Sequence, residues 1–367
     1  MTDETTDPQS PLELVERTVA RIGRFDAESS AAVAHALDGK VKPLRSLGDL
    51  ERLTARLAGI QGTPTPHADT PALVVCAADH GVAADGVSAY PQEVTALMLQ
   101  SFAAGTSAVG VLARHAGTRL VVADLGVAEP PRLRPGQNEV LDRRVRAGTA
   151  DSAAGPAMSL AEAQQAVAHG ITLVDDLVED GVDLVGLGEM GIGNPTTASA
   201  LTAALLDRDP ARLVGPGTGV SGDAFARKLR KVDEILARHR DAEDPWDILA
   251  RMGGLEIAAL AGVVLGCAAR RVPVVLDGFI TTAAALVAWR LAPACTDSMV
   301  AGHLSPEPGH QVQLQALGLQ PVLDLRMRLG EGSGAALAIP VLRSAVAVLR
   351  EMGSFADLGL DDDRPTA

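Results

Sequence analysis

In the stretch LRMRLGEGSGAALA, residues 325–338, Glu331 stands between Gly330 and Gly332, so its carboxylate is presented without bulky neighbours. The small residues that follow leave room for a ligand. A carboxylate held in a cleft with little solvent has its pKa raised toward neutrality and serves as a general base, while a helix starting just after it pulls the other way. Spacing alone leaves a general base and a plain helix start both open. A second stretch, GLGEMGIGNPTTASAL (186–201), puts Gly186, Gly188 and Gly191 in a G-x-G-x-x-G spacing ahead of Asn194-Pro195. That pair reads as a helix N-cap followed by a first-turn proline, which aims free backbone N–H groups at whatever lies in front. A structural glycine turn, a phosphate-binding turn and a dinucleotide fingerprint all fit the spacing. Glu189 within it suits a ribose hydroxyl, a cationic ring, or simple helix-dipole stabilisation.

Four further turns carry chemistry-bearing residues. VGPGTGVSGDAFARKLRKVDEIL (214–236) sets a glycine-rich turn before a helix with Lys228 and Lys231, which reads as an anion site or as a solvated basic face. AADHGVAADGVSAYPQEVT (77–95) exceeds a simple connection, which favours a binding loop. Its Asp79-His80 step is an acid/base pair, a metal-ligand start or a structural feature, and Tyr90 is the only tyrosine of the chain. In VVLDGFITTAAAL (274–286), Asp277 at a strand end suits ribose hydroxyls, orientation of another group, or an N-cap. AGHLSPEPGH (301–310) presents His303, Ser305, Glu307 and His310 in a proline-held loop, where metal binding would need a third ligand in suitable geometry, so no metal is assigned.

The elements that must position these turns follow a recurring unit: a short apolar run, a glycine-containing turn, then an alanine-rich helix. Strands are expected at 72–77, 119–125, 182–187, 272–276, 298–302 and 321–325. Their continuous apolarity predicts strands covered on both faces, hence a doubly wound, mainly parallel α/β sheet. In such sheets ligands sit outside the carboxyl ends of the strands, so the turns after each strand are the first place to look. Helical spacing appears at 12–37 and 47–57, with a Gly/Pro/Thr-rich boundary at 59–72. The apolar helix after Gly334 returns to pack on those N-terminal helices.

Composition narrows the partners. A net charge of −14 disfavours nucleic acid and anionic membranes, which need clustered Lys and Arg. Cys76, Cys267 and Cys295 form no C-x-x-C pair, which suits a reducing cytoplasm and argues against a disulfide framework or zinc cluster. The acidic, polar N-terminus lacks the features of a secretory signal, and the apolar run 255–269 is too short for a membrane span.

Taken together, and in this order, ADHGVAADGVSAYPQEVT, GLGEMGIGNPTTAS, the GPGTG turn with KVD, LDGFITTAAAL, SPEPGH and LGEGSGAALA resemble the nicotinate-nucleotide:dimethylbenzimidazole phosphoribosyltransferase family. The resemblance runs from about residue 10 to about residue 355. It implies a six-stranded Rossmann-like sheet with a smaller all-helical domain built from both chain ends. The corresponding divisions are 1–64, 65–334 and 335–367, the last ending in a disordered tail. It also implies a cytoplasmic homodimer without a cofactor that moves phosphoribose from nicotinate mononucleotide to dimethylbenzimidazole, giving α-ribazole phosphate for the nucleotide loop of cobalamin. Carried over by motif, Glu331 is the general base, and Glu189, Lys231, Asp277 and Ser305 fall at substrate-site positions. Gly188, Gly191, Gly193 and Asn194 form a backbone cradle. Where some relatives carry small polar residues on the pocket wall, this chain has Tyr90 and Met98, both suited to a flat apolar ring. The competing readings are a nicotinamide-dinucleotide oxidoreductase, from Gly186, Gly188 and Gly191, and a non-catalytic mononucleotide-binding protein on the same sheet.

Overall fold

The computed structural model describes residues 10–215, 217, 219 and 221–360. Residues 1–9, where the chain starts, residues 361–367, where a disordered tail was expected, and Pro216, Thr218 and Val220 of the glycine-rich turn lie outside the described residues. Strands β1 (Pro71–Ala78), β2 (Arg119–Gly126), β3 (Val140–Asp142), β4 (Leu184–Met190), β5 (Val274–Leu276) and β6 (Met299–Ala301) are separated by helices, except that β3 follows β2 directly through a loop. The helices are α1 (Pro11–Ala20), α2 (Ala27–Asp38), α3 (Asp49–Gln61), α4 (Val94–Ala103), α5 (Ala108–His115), α6 (Leu160–Glu179) and α7 (Asn194–Leu206). They continue with α8 (Gly222–Arg238), α9 (Pro245–Met252), α10 (Leu255–Ala269), α11 (Phe279–Leu291), α12 (Pro308–Leu317) and α13 (Ser333–Glu351).

Every residue of β1, PALVVCAA, is buried, because the sheet is covered on both faces. Val74 and Cys76 join a core with α6, α10 and α11, whereas Leu73 and Val75 point the other way into a core with α3, α4 and α13. This is why the strand reads as one apolar run without alternation. The strands pair in the order β3-β2-β1-β4-β5-β6, all parallel. The chain therefore builds outward from β1 to one edge, then returns beside β1 to build toward the other. At this switch point the connections after β1 and β4 leave on opposite faces, which opens a crevice at the carboxyl edge.

The sequence places these strands with two differences. Val140–Asp142 is a strand that apolar patterning does not mark, since it is a three-residue, partly exposed edge strand. Residues 321–325, expected as a strand, make only a parallel bridge between His303 and Leu323. Pro321 offers no N–H for a ladder, and Asp324 and Leu325 are exposed. The long N-terminal helical pattern divides into α1 and α2, because Asp26 turns its side chain onto the N–H groups of Glu28 and Ser29 and starts a new helix.

Helices α2 and α13 meet on α3, whereas α1 packs on α6 and α10. Thr54 donates to the carbonyl of Ala345 (3.0 Å), and Val348 and Leu349 pack on Val33, Leu37 and Ala58. The first half of α13 meanwhile covers the sheet through Ala335, Ala336 and Ile339. Residues 94–115 and α13 are long and apolar enough to cross a membrane by length and composition. The first of these turns at 104–107 into α4 and α5, and each of the three helices packs on the sheet.

Candidate active site

A cavity of about 340 Å³ opens at the carboxyl edge of the sheet, within the range of small-ligand sites. Its wall is assembled from the loop after β1, the end of β4 with the start of α7, the turns after β5 and β6, and the segment 327–333. Helices α7, α11, α12 and α13 all begin there, with Gly193, Gly278, Glu307 and Gly332 as their cap residues. Four partial positive charges thus face one space. They offset the carboxylates of Glu189, Asp277, Glu307 and Glu331, which line the same cavity.

Glu331 sits in a strained turn. Gly330, Glu331 and Gly332 all have positive φ, at 82°, 63° and 92°, and only the glycines adopt this without strain. Two contacts hold the turn. Asp277, at the end of β5, accepts the N–H groups of Gly332 (3.3 Å), Gly334 and Ala335 (3.1 Å), capping α13 from a distant part of the chain. Gly188, inside β4, has no Cβ, which admits the backbone of Glu331 against the strand. The Glu331 side chain is 7% exposed, and its Oε2 has no hydrogen-bond partner among the described residues. Burial pushes its pKa above the usual carboxylate range, with the Val109 N–H at the start of α5 working against that.

Glu189 faces it. Asn194 donates to Glu189 Oε2 (2.5 Å), and the Glu331 N–H also bears on this carboxylate. Burial still raises its pKa to about 8, and that of Asp277 to about 7, against the pull of its backbone donors. Buried carboxylates in one small space disfavour their own ionisation, so the cavity is poised to hold protons or to receive cationic and donor groups.

Of the site residues carried over from the resemblance, Tyr90, Met98, Glu189, Gly191, Gly193, Asn194, Asp277, Ser305 and Glu331 line this cavity, joined by His303 and Glu307 of the 301–310 loop. Two of the carried-over set do not. Gly188 lies within β4 opposite Val75 and serves the approach of Glu331 rather than a ligand. Lys231 pairs instead with Asp85 (3.1 Å) and Glu234 (2.7 Å). One helical turn earlier, Lys228 is 1% exposed and donates to the carbonyl of Gly215 (2.8 Å). Burial pushes it down to about 8, although Glu307 pulls upward. Helical spacing put both lysines on α8 but could not tell which one turns inward. Gly186 and Gly188 sit inside β4 rather than in the turn after a first strand, which removes the dinucleotide fingerprint.

The histidines of 301–310 hold backbone in place, and His303 also lines the cavity. His303 Nε2 accepts from the N–H groups of Leu325 (3.2 Å) and Met327 (3.3 Å), fixing the segment that leads to Glu331. His310 Nδ1 accepts from the Ser305 N–H (2.9 Å) while Nε2 faces the Thr282 hydroxyl (3.1 Å), and burial pushes its pKa to about 3. Asp79 and His80 diverge, with Asp79 accepting the Ala128 N–H (2.8 Å) and His80 turned into the interior toward Glu256. The apolar wall of Phe279, Ile280 and Leu329 was not marked by sequence, since isolated apolar residues beside a turn carry no periodic signal.

A parallel sheet of this strand order, with a carboxylate-rich cavity at its switch point facing four helix N-termini, defines a Rossmann-like protein built for a small nucleotide-sized ligand. The family described as phosphoribosyltransferase matches residues 22–360. The chain belongs to the family of nicotinate-nucleotide–dimethylbenzimidazole phosphoribosyltransferases. The protein of that name from Chloroflexus aurantiacus (strain ATCC 29366 / DSM 635 / J-10-fl) is 48% identical over 352 residues, covering 96% of this chain and 99% of its own. That from Roseiflexus sp. (strain RS-1) is 48% identical over 350 residues, covering 95% and 98%. The crystal structure of CobT from Thermus thermophilus is similar with a TM-score of 0.86 and 46% identity, covering 91% of this chain and 99% of that one. Neither the oxidoreductase nor the non-catalytic reading finds support in these likenesses.

Proposed function

We propose that this chain transfers the phosphoribosyl group of nicotinate mononucleotide to dimethylbenzimidazole, with inversion at ribose C1, giving α-ribazole phosphate and nicotinate for the nucleotide loop of cobalamin. The observation that carries the residue assignment is the buried Glu331 carboxylate on the wall of the cavity, with one oxygen that has no partner among the described residues. The bond from C1 to the nicotinate ring nitrogen breaks, and its electron pair neutralises the cationic ring, so the leaving group needs no further activation. One nitrogen of dimethylbenzimidazole attacks C1 from the opposite face, and its other nitrogen gives up a proton to Glu331. Such a base contributes roughly 10²–10⁴-fold, and holding both reactants in line contributes up to about 7–11 kcal/mol.

In this reading the phosphate rests on the helix N-termini around Gly191, Gly193 and Asn194, with Ser305 beside it, and Glu189 receives ribose hydroxyls or the cationic ring. Tyr90 and Met98 flank the flat base. Asp277 acts by holding the Glu331 turn, and Lys231 acts through Asp85 on the loop that carries Tyr90. The reading includes a homodimer in the cytoplasm and a small helical unit formed by residues 1–64 and 335–367.

Incubation with nicotinate mononucleotide and dimethylbenzimidazole, followed by mass and NMR analysis, is expected to give an α-glycosidic product and free nicotinate. Glu331→Gln is expected to lower kcat by about 10²–10⁴-fold with mononucleotide affinity nearly intact. Wild-type turnover in that variant would remove Glu331 from the role.

A further inference from the structure

The loop after β1 sends His80 away from the cavity, into a site where it is fully buried beside Glu256 and Thr197. His80 Nε2 lies 2.7 Å from Glu256 Oε1, on the first turn of α10, and His80 Nδ1 lies 3.0 Å from Thr197 Oγ1, on the first turn of α7. The carboxylate is acceptor-only, so Nε2–H donates to it, which leaves Nδ1 to accept from the threonine hydroxyl. None of the three side chains lines the cavity, so the cluster does no chemistry on a ligand.

Its surroundings show what it holds. A Cβ built on Gly191 would lie 3.1 Å from His80 Nε2, and one on Gly193 would lie 3.3 Å from His80 Cβ. On the other side the ring is closed by Gly254, whose Cβ would overlap the ring carbon between the two nitrogens. His80 thus packs beneath the 191–194 turn, sharing that floor with the Ala78 carbonyl, which a Cβ on Gly191 would approach to 2.6 Å, and with Ala83 under Gly193, whose φ of 98° itself favours glycine. Glu256 Oε2 has no partner among the described residues, and an unsatisfied buried carboxylate oxygen is costly. Packing alone would be served better by an apolar trio. A connected polar cluster has the property that such a trio lacks: it admits one orientation of each member.

We infer that His80, oriented by Glu256 and bonded to Thr197, is a positioning residue that sets the height and rotation of the 191–197 segment for the phosphate of the mononucleotide. The inference rests on the reading under Proposed function. It adds a linkage from α10, deep in the core, through His80 to the ligand-facing backbone of α7.

The test compares full-length Thr197→Val and Glu256→Gln, each close to isosteric, with Thr197→Ser as the conservative rescue. KM is measured separately for nicotinate mononucleotide and for dimethylbenzimidazole, together with kcat, thermal unfolding, and calorimetric binding of the mononucleotide alone. Both first variants are expected to raise the mononucleotide KM about five- to tenfold, the effect of one lost or misdirected hydrogen bond. The base KM and kcat are expected to stay within about twofold, and Thr197→Ser to restore the wild-type KM. Folded variants with an unmoved mononucleotide KM overturn the inference, as does an equal loss in both KM values and kcat that tracks thermal stability. Should a variant not fold, hydrogen exchange of the wild type decides: saturating mononucleotide is expected to protect residues 191–197, and unchanged exchange there overturns the inference. A wild type that binds mononucleotide but turns over no benzimidazole sinks the functional reading, whereas an active wild type with unmoved variants sinks this inference alone.

Discussion

The backbone of Glu331 rests directly on Gly188: a Cβ on Gly188 would overlap the Glu331 carbonyl, and a Cβ on Gly332 would lie 3.0 Å from the Gly188 Cα. Two glycines well separated in sequence are therefore halves of one contact, which presses the left-handed turn of Glu331 against the end of β4. The proposed proton acceptor is placed by backbone packing, and its Oε2 has no partner among the described residues.

Gly188→Ala is accordingly expected to displace the Glu331 turn. Overpacking of this kind costs about 1–3 kcal/mol, readable by urea unfolding, and kcat is expected to fall well beyond what lost stability explains. An alanine variant with wild-type kcat would show that the contact does not place the base.

The pH dependence of kcat/KM follows from the Glu331 environment. Burial raises its pKa, so the deprotonated form is lost as pH falls through a value above the ordinary carboxylate range. The acid limb of the profile is expected there, and Glu331→Gln is expected to remove that limb from the residual activity. A limb near the unperturbed carboxylate value would contradict it.

Asp277 accepts three backbone N–H groups at the start of α13. Asp277→Asn keeps one acceptor oxygen and loses the charge, and is expected to cost about 1–2 kcal/mol in denaturant unfolding, in the range of a lost helix cap. Because the same contacts fix Gly332, kcat is expected to drop at least roughly tenfold, the effect of misplacing a reacting group.

Glu189 makes the free protein less stable as pH rises. Its folded pKa is raised to about 8 by burial, above the ordinary value of 4.5. Between those values the folded state binds a proton that the unfolded chain has released, so stability falls with rising pH across this window. Asp277, raised to about 7, acts in the same direction. Melting temperatures of Glu189→Gln measured from about pH 5 to about pH 8 are expected to decline less than those of wild type. Parallel declines would place the Glu189 carboxylate in contact with solvent.

Runs such as PALVVCAA and VDLVGL determined on their own that the sheet is parallel and covered on both faces, since no alternating pattern could survive burial on each side. The glycine-flanked acid at 331 and a helix opening on Pro195 were also legible, because turn chemistry is local, but the cap of α7 is Gly193 in the left-handed region, and Asn194, expected as the N-cap, begins the helix and turns its side chain to Glu189. Which of Lys228 and Lys231 turns inward, whether Asp277 meets a ligand or caps α13, and whether Gly188 faces a cavity or the backbone of Glu331 were decided only by tertiary structure. Local propensity specifies the conformation of a residue and the face it presents. The group that arrives on that face from far along the chain is set by how the helices and strands pack, and in this protein that packing places carboxylate oxygens of Glu331 and Glu307, without a partner among the described residues, at the wall of the cavity.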